Sequence, residues 1–257
     1  NTTSRFNYTT MEKLPISIGI LSWHSGQTLV NTLYSYHISG LLDMVEDVTI
    51  FFQETTDEDR KIASHYAIPF IESKENIGIG KALIELAKNA KTDNILFLEH
   101  DWKLIEDRFT THKRLHSGLN LINNGFHLVK YRHRQEPGVP LFSQRPYQGN
   151  ELNHYDSEMD LTSPHLLESI HWVQNPEIDF EGKIQKQGEY FTTTSRWGNW
   201  SNNPGLFNTK FYIDTVEPFA GGGIDLEGKI GGWWARQDFK VAHGEGLFKH
   251  EDLKKFG

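Results

Sequence analysis

Hydrophobic residues come in short runs that alternate with amphipathic stretches over the first half of the chain. The runs ISIGIL, VTIFF and NILFL are short, apolar and bounded by polar or turn-forming residues, which predicts buried strands. After the first two runs, and again before and after the third, apolar residues recur three or four positions apart, which predicts helices. The predicted strands cover residues 16–21, 48–52, 69–71, 94–98 and 126–131. The predicted helices cover about 25–40, 55–68, 81–90 and 106–123.

Two of these helices carry specific local expectations. Thr55 with Glu58 three residues later predicts a capping box at a helix start. In the helix over about 106–123, helical spacing places a set of apolar side chains inward, and Gly125 ends the helix. That inward set is Phe109, Leu115, Leu119 and Ile122.

Strands that alternate with helices predict an α/β fold with a mostly parallel central sheet flanked by helices. The second half of the chain is predicted to be richer in loops, at residues 132–155 and 196–207, with a helix at 165–173. A glycine-rich turn after Phe219 leads into a further predicted helix. No repeat or break in composition divides the chain, so we expect a single domain over residues 1–257, with 1–13 as a flexible extension.

Composition excludes several classes of function. The 257 residues include no cysteine, which excludes a disulfide scaffold, a cysteine-ligated metal and a cysteine nucleophile. A net charge of −8 argues against a broad nucleic-acid-binding surface. No apolar run approaches the roughly 20 residues that span a bilayer, and no signal-peptide pattern opens the chain. Together with the lack of cysteine, this leads us to expect a cytoplasmic protein.

Three polar segments are the candidates for chemistry. Glu99, His100 and Asp101 directly follow the apolar strand NILFL. In open parallel sheets, ligands bind at the carboxyl ends of strands. A carboxylate at that place binds a hard divalent cation, and the cation in turn clamps a diphosphate. The alternative is a strand that ends in an ordinary polar turn.

The other two segments are rich in glycine. The segment Asn76 to Lys81 places Gly78 and Gly80 at a helix start, where a backbone approaches a phosphate or ribose closely. A simple glycine turn is the alternative. After the glycines at 221–223, Asp225 is either a general base or a helix N-cap, and Glu227 follows. His243 and His250 lie near the end, too far apart in sequence for a zinc-helix pair.

The order of these segments resembles that of the nucleotide-sugar glycosyltransferases of the GT-A fold, especially the family 2-like inverting enzymes. Their Asp-x-Asp motif after a buried strand corresponds to Glu99, His100 and Asp101. Their Asn-x-Gly segment corresponds to the residues from Asn76 to Gly80. The acidic segment after the glycine turn corresponds to GGGIDLEG, and their late histidine to His250. The resemblance covers most of the chain.

The resemblance implies roles for individual residues. Catalysis falls to Asp225 or Glu227, and the metal, Mn²⁺ or Mg²⁺, to Asp101 and His250, with His243 as the second choice. The residues implied for the nucleotide sugar are Ser22, Trp23, Glu54, Asn76, Gly78, Gly80, Lys81, Glu99 and His100. The tryptophans expected to stack on the acceptor are Trp197, Trp200 and Trp234. Residues 14–131 are then the donor half and residues 132–257 the acceptor half.

The activity that follows is transfer of a sugar from a nucleoside diphosphate to a hydroxyl of a glycan or glycoconjugate, with inversion and with a divalent metal. Two departures from the family pattern bear on this expectation: Glu99 replaces the first Asp of the motif, and Ile224 replaces the Glu before the base. A metal-dependent hydrolase or nucleotidyltransferase, and a nucleotide-sugar-binding module without catalysis, are the alternatives. A retaining mechanism is also open, because a fold does not fix stereochemistry.

Overall fold

The computed structural model describes residues 11–138, 174–221 and 225–251. The strands are β1 Leu14–Trp23, β2 Val45–Gln53, β3 Phe70–Glu72, β4 Asn94–Glu99, β5 Trp102–Leu104, β6 Leu128–Arg132, β7 Gln185–Gln187, β8 Tyr190–Thr194, β9 Gly205–Asn208 and β10 Lys240–His250. The helices are α1 Gln27–Ile38, α2 Leu41–Met44, α3 Asp57–His65, α4 Ile79–Asn89, α5 Arg108–Asn123, α6 Pro176–Asp179, α7 Thr209–Val216 and α8 Leu226–Ala235. The five strands predicted in the first half are therefore present, as are the four helices predicted there.

One mixed sheet organises the described residues, in the order β3-β2-β1-β4-β9-β6-β10-β8-β7, with β5 paired to β10. Most of its strands run in one direction, and the principal ones of that set are β1, β2, β3, β4, β6 and β10. The antiparallel strand β9 lies between β4 and β6, so the second half of the chain enters the centre of the sheet built by the first.

Helices cover both faces of the sheet, and each face has its own apolar cluster. On one face, α1 and α5 pack against the sheet through side chains such as Leu29, Leu33 and Leu115. On the other face, α4, α7 and α8 do so through Leu83, Tyr212 and Trp234, among others. A parallel sheet needs this cover on both faces, because its strands are apolar on both sides.

Two local predictions on these helices are wrong. The capping box of α3 is formed by Thr56 and Asp59, not by Thr55 and Glu58. The Thr55 hydroxyl instead donates to the carbonyls of Phe52 and Ser73, in the connection between β2 and β3. Tertiary pairing therefore decides between two overlapping capping signals.

Helix α5 has the predicted core face except at its first turn. Leu115, Leu119 and Ile122 are buried, and Gly125 follows with φ 93°, the left-handed conformation that ends a helix. Phe109, predicted to point inward, is 72% exposed, because it lies in the first turn before α5 reaches the sheet.

The second half has more regular structure than the sequence predicted. The loop predicted at residues 196–207 ends in strand β9. Most of the loop predicted at 132–155, the whole helix predicted at 165–173 and most of the extension at 1–13 lie outside the described residues. In the described parts of the chain, no helix is long and apolar enough to cross a membrane.

Candidate functional site at the carboxyl ends of the parallel strands

A buried carboxylate and a histidine meet where β4 ends. Strand β5 follows β4 after a two-residue turn and pairs antiparallel with the end of β10, with Trp102 opposite His250. This pairing brings the His250 ring against Asp101, so that Nε2 of His250 lies 3.0 Å from Oδ2 of Asp101. The predicted metal pair therefore comes together from residues far apart in sequence.

The surroundings of this pair are partly closed to water. The side chains of Asp101 and His250 are 8% and 11% exposed. Burial acts to raise the pKa of Asp101, but the hydrogen bond from His250 and the nearby charges of His100 and His250 outweigh it, so that the pKa lies below its usual range. Oδ1 of Asp101 is buried and accepts no hydrogen bond from the described residues. Such an atom is a site where a further ligand is expected.

The turn that carries Asp101 is fixed to its neighbours through backbone contacts. The His100 N–H donates to the carbonyl of Leu21 in β1, and the Thr32 hydroxyl of α1 donates to the His100 carbonyl. Glu99 closes β4 opposite Leu21. The Glu99–Asp101 turn is therefore held at the ends of two adjacent parallel strands, as the sequence predicted.

A second group of polar side chains lies at the ends of β1 and β2. Oε2 of Glu54 accepts hydrogen bonds from Nε1 of Trp23 at 2.6 Å and lies 2.9 Å from Nε2 of His24. These contacts, that of Trp23 first, hold the pKa of Glu54 below its usual range. Ser22, by contrast, is fully buried, and its hydroxyl is bonded to that of Ser25 at 2.6 Å.

The Asn76–Lys81 segment is fastened to β2 by a residue that sequence reasoning missed. The buried amide of Gln53 donates to the Gly78 carbonyl at 3.1 Å and accepts from the Ile77 N–H at 2.9 Å. Gly78 has φ 87°, which glycine adopts without strain. The signal in the sequence was a polar residue at the last position of an apolar strand.

The two glycine-rich segments lie beside one cavity of about 690 Å³. Asn76, Gly78 and Lys81 line one side, and Gly221 lines the other. Gly80 is buried, and a Cβ there would lie 3.0 Å from the Cα of Ala220. Gly80 therefore permits the close packing of α4 on the segment that precedes Asp225, rather than approach of a ligand.

Asp225 and Glu227 occupy the start of α8, and both are exposed. Asp225 is the N-cap, with Oδ1 accepting from the Gly228 N–H at 2.8 Å. Oε1 of Glu227 accepts from the Asn202 N–H at 2.6 Å, which ties α8 to the connection before β9. The N-cap geometry is thus present, and it leaves the second Asp225 oxygen without a partner among the described residues.

The structure does not bring His243, the second choice of metal ligand, to the Asp101–His250 pair. His243 is 2% exposed within β10, and its ring Nε2 donates to the Arg132 carbonyl at 2.7 Å. The register of β10 against β6 separates it from His250 by roughly 13 Å of strand. That distance is too long for one ion to be shared.

The structure buries two of the three tryptophans that were expected to stack on the acceptor. Trp200 and Trp234 are 4% and 0% exposed and pack on each other at 5.1 Å between ring centroids. They belong to the core beneath α7 and α8, where a sugar has no access to their faces. Trp197 is half-buried, and the cations of Lys183 and Arg196 lie over its ring at 5.0 and 4.9 Å from the centroid.

A divalent cation fits the Asp101–His250 pair chemically. Carboxylate oxygen and imidazole nitrogen are ligands that Mn²⁺ accepts in proteins. The described residues contain no group of three or more His, Asp or Glu side chains that would enclose an ion. An ion held here would therefore have few protein ligands and would leave positions for a second molecule.

Comparison with known proteins supports the fold and leaves the sequence relationship open. No protein-family model matches the chain, and no curated protein matches it. A fragment of S. aureus TarS in complex with UDP superposes with a TM-score of 0.56 at 11% identity, covering 93% of this chain and 60% of that one. Another TarS structure gives 0.53 at 13% identity, covering 93% and 37%. This chain therefore spans 37% and 60% of the lengths of those two chains.

Glucosyl-3-phosphoglycerate synthase from Mycobacterium tuberculosis, in complex with Mn²⁺, UDP-glucose and phosphoglyceric acid, gives 0.46 at 15% identity, covering 94% of this chain and 74% of that one. The TarS superpositions carry the assignment of fold. The chain has the fold of the GT-A nucleotide-sugar glycosyltransferases, as the order of its motifs indicated.

Proposed function

We propose that this protein is a divalent-metal-dependent glycosyltransferase that moves a sugar from a nucleoside diphosphate to a hydroxyl, with inversion. The observation that carries the proposal is the Asp101–His250 pair, which is buried at the carboxyl ends of the central strands and in which Oδ1 of Asp101 has no partner among the described residues. Proteins with open α/β sheets bind their ligands at this edge, the carboxyl ends of the parallel strands. Nucleotide-sugar transfer is consistent with both this fold and a metal-binding pair at this edge.

Asp101 and His250 are the residues that would hold Mn²⁺ or Mg²⁺. A bound ion would neutralise negative charge on the departing nucleoside diphosphate. The protein itself supplies rigidity: pairing of β5 with β10 fixes His250, and the bond between His100 and Leu21 fixes the turn that carries Asp101. The side chains of Asp101 and His250 therefore need little rearrangement when the donor binds.

The nucleotide would lie between the Trp23–Glu54 group and the Gln53-fastened segment. Glu54 presents an ionised carboxylate beside an exposed indole, a pairing that suits a base face and ribose hydroxyls. Asn76, Gly78 and Lys81 line the cavity on the other side, where the Lys81 ammonium would attract a phosphate. Glu99 and His100 complete the proposed donor site.

Asp225 is our choice of general base. Its N-cap bond to Gly228 holds the carboxylate in one orientation, while its second oxygen remains available to accept a proton. Glu227 is engaged with the backbone of Asn202 and serves to position α8. The packing of Gly80 against Ala220 brings this end of the fold to the proposed donor segment.

The test is an activity measurement with a panel of nucleotide sugars in the presence of Mn²⁺, scored for nucleoside diphosphate release and for the sugar product. We expect release with one class of donor, loss of release in EDTA, and a glycosidic product when a hydroxyl acceptor is supplied. Asp225→Asn should bind donor and lose transfer, whereas Glu227→Gln should retain transfer. Free sugar as the sole product would instead indicate a hydrolase, pyrophosphate a nucleotidyltransferase, and donor binding without turnover a binding module.

A further inference from the structure

A cationic cavity lies further along the same edge of the sheet, on the side of β6 away from β4. It has a volume of about 430 Å³ and lies between the first turns of α5, the end of β6, the β7–β8 hairpin and the middle of β10. None of the residues assigned above to metal, nucleotide or base lines it. A volume of this size matches the small-molecule sites of proteins.

The charge of this cavity opposes that of the whole chain. Its basic lining residues are Lys113, Arg114, Lys130, Arg134 and Lys186. Among the described residues, Glu189 and Glu245 supply negative charge to the lining, and Glu106 pairs with Arg114 at 2.8 Å, so five positive groups against three negative ones leave an excess of two. The whole chain has a net charge of −8, so a local excess of positive charge in this cavity indicates a site that attracts anions.

The two arginines are held in place by an irregular segment of β10. Nη1 of Arg114 donates to the Gly246 carbonyl at 2.8 Å, and the backbone N–H of Arg134 donates to the Glu245 carbonyl at 2.9 Å. The Arg134 guanidinium lies over the Phe191 ring at 4.5 Å and pairs with the Glu245 carboxylate at 3.1 Å. Both guanidinium groups are therefore oriented before any ligand arrives.

The backbone of that segment depends on glycine. Gly246 has φ 79°, and a Cβ there would lie 2.2 Å from the Arg132 carbonyl oxygen. Three extra residues enter β10 at this point, since His243 pairs with Lys130 and Phe248 with Arg132. The insertion turns two backbone carbonyls toward the arginines. In an unbroken ladder, these carbonyls would have paired with the neighbouring strand.

The cavity adjoins the proposed donor site through Arg132. Its guanidinium lies 5.2 Å from the ring centroid of Trp102, the residue next to Asp101. Arg132 ends the strand β6, and Arg134 lies two residues further. A molecule seated among Arg114, Arg134 and the exposed lysines would thus lie toward the half of the protein proposed to hold the acceptor.

We infer that this cavity binds an anionic group of the acceptor, a phosphate or a carboxylate. Oriented guanidinium groups recognise both groups through paired N–H donors, and Lys113 and Lys186 add charge at the rim. The identification of the anion as part of the acceptor rests on the proposed function. The binding of an anion in the cavity is a separate event that requires no metal.

The first experiment measures anion binding by calorimetry in EDTA, with inorganic phosphate, glycerol 3-phosphate, glucuronate and neutral glycerol as probes. We expect saturable binding of the phosphates or of glucuronate and none of glycerol, and the preferred probe separates a phosphate from a carboxylate acceptor. The double variant Lys113→Gln/Lys186→Gln removes two exposed charges and should weaken binding roughly fivefold. Lys210→Gln, which removes an exposed charge on α7, is the matched control and should leave binding unchanged.

Arg114→Lys provides a second readout, because it keeps the charge and removes the paired donors. We expect it to weaken anion binding while UDP or GDP binding with Mn²⁺ stays at its original affinity. Absence of anion binding, or equal weakening by Lys210→Gln, would overturn the inference. Anion binding in EDTA together with no metal-dependent nucleotide binding would leave the cavity assignment intact and would refute the proposed donor site instead.

Discussion

Gln53 offers a sharp test of how the proposed donor site is built. Its amide is the link between the end of β2 and the backbone of Ile77 and Gly78. Gln53→Leu keeps most of the side-chain volume and removes both hydrogen bonds. The buried Gly78 carbonyl would keep its bond from the Ala82 N–H, whereas the partly buried Ile77 N–H would lose its bond to the Gln53 oxygen.

The magnitude follows from these two contacts. Each of the two hydrogen bonds that the variant loses contributes about 0.5–1.5 kcal/mol net. We expect a loss of about 1–3 kcal/mol in the free energy of unfolding. A chain of this size shifts its Tm by about 2–4 °C per kcal/mol, so the Tm should fall by roughly 2–12 °C.

The assay is urea denaturation together with a thermal melt, followed by nucleotide binding in Mn²⁺ at a temperature where the variant is folded. Gln27→Leu is the matched control, since Gln27 is exposed and its amide donates to Asn31 on the same helix. Its unfolding free energy should change by less than about 0.5 kcal/mol. A Gln53→Leu variant as stable as the Gln27 control, with unaltered nucleotide affinity, would refute the reasoning.

Three further outcomes are expected. Asp101→Asn keeps a hydrogen-bond acceptor for His250, so it should fold normally yet lose the stabilisation of about 2.7 kcal/mol that a nucleotide at 100 times its Kd provides with Mn²⁺; equal stabilisation of variant and parent would contradict the metal assignment. Trp234→Ala removes a fully buried ring bonded to the Gly198 carbonyl and should cost about 3–5 kcal/mol in urea denaturation; a change in KM with unchanged stability would instead restore its acceptor role. Burial acts to raise the pKa of Glu106, but bonds from His133 and Arg114 outweigh it and lower that pKa. The parent should therefore be more stable than Glu106→Gln at pH 7, and this advantage should vanish as the pH falls below about 4.5 and through the lowered pKa. A difference in unfolding free energy that stays constant across this pH range in chemical denaturation would count against the ion pairs.

The sequence predicted the first half of the fold well because its strands and helices have clean periods. The candidate metal carboxylate followed from one rule, that parallel strands end at one edge of a sheet. Position alone thus placed Asp101, and the resemblance to a family supplied His250. The β5–β10 pairing that joins them was not predicted, because three residues are too few to show a period.

The candidate residues that the structure places away from the Asp101–His250 pair could not have been recognised from local sequence. Trp200 and Trp234 lie in segments where an aromatic residue serves a core or a surface equally well, and only the packing of α7 and α8 decides. His243 and His250 both lie on β10, but His243 pairs with β6 whereas His250 pairs with β5 beside Asp101. Long-range pairing of this kind leaves no mark in local spacing.

The central claim is that a nucleotide and a divalent ion bind together at the Asp101–His250 edge of the sheet. Its most direct test is calorimetric titration of the unmodified chain with UDP, GDP, CDP and ADP, in Mn²⁺ and in EDTA. We expect saturable binding of one of these nucleotides in Mn²⁺ and loss of that binding in EDTA. Equal binding with and without metal, or no binding of any nucleotide, would contradict it.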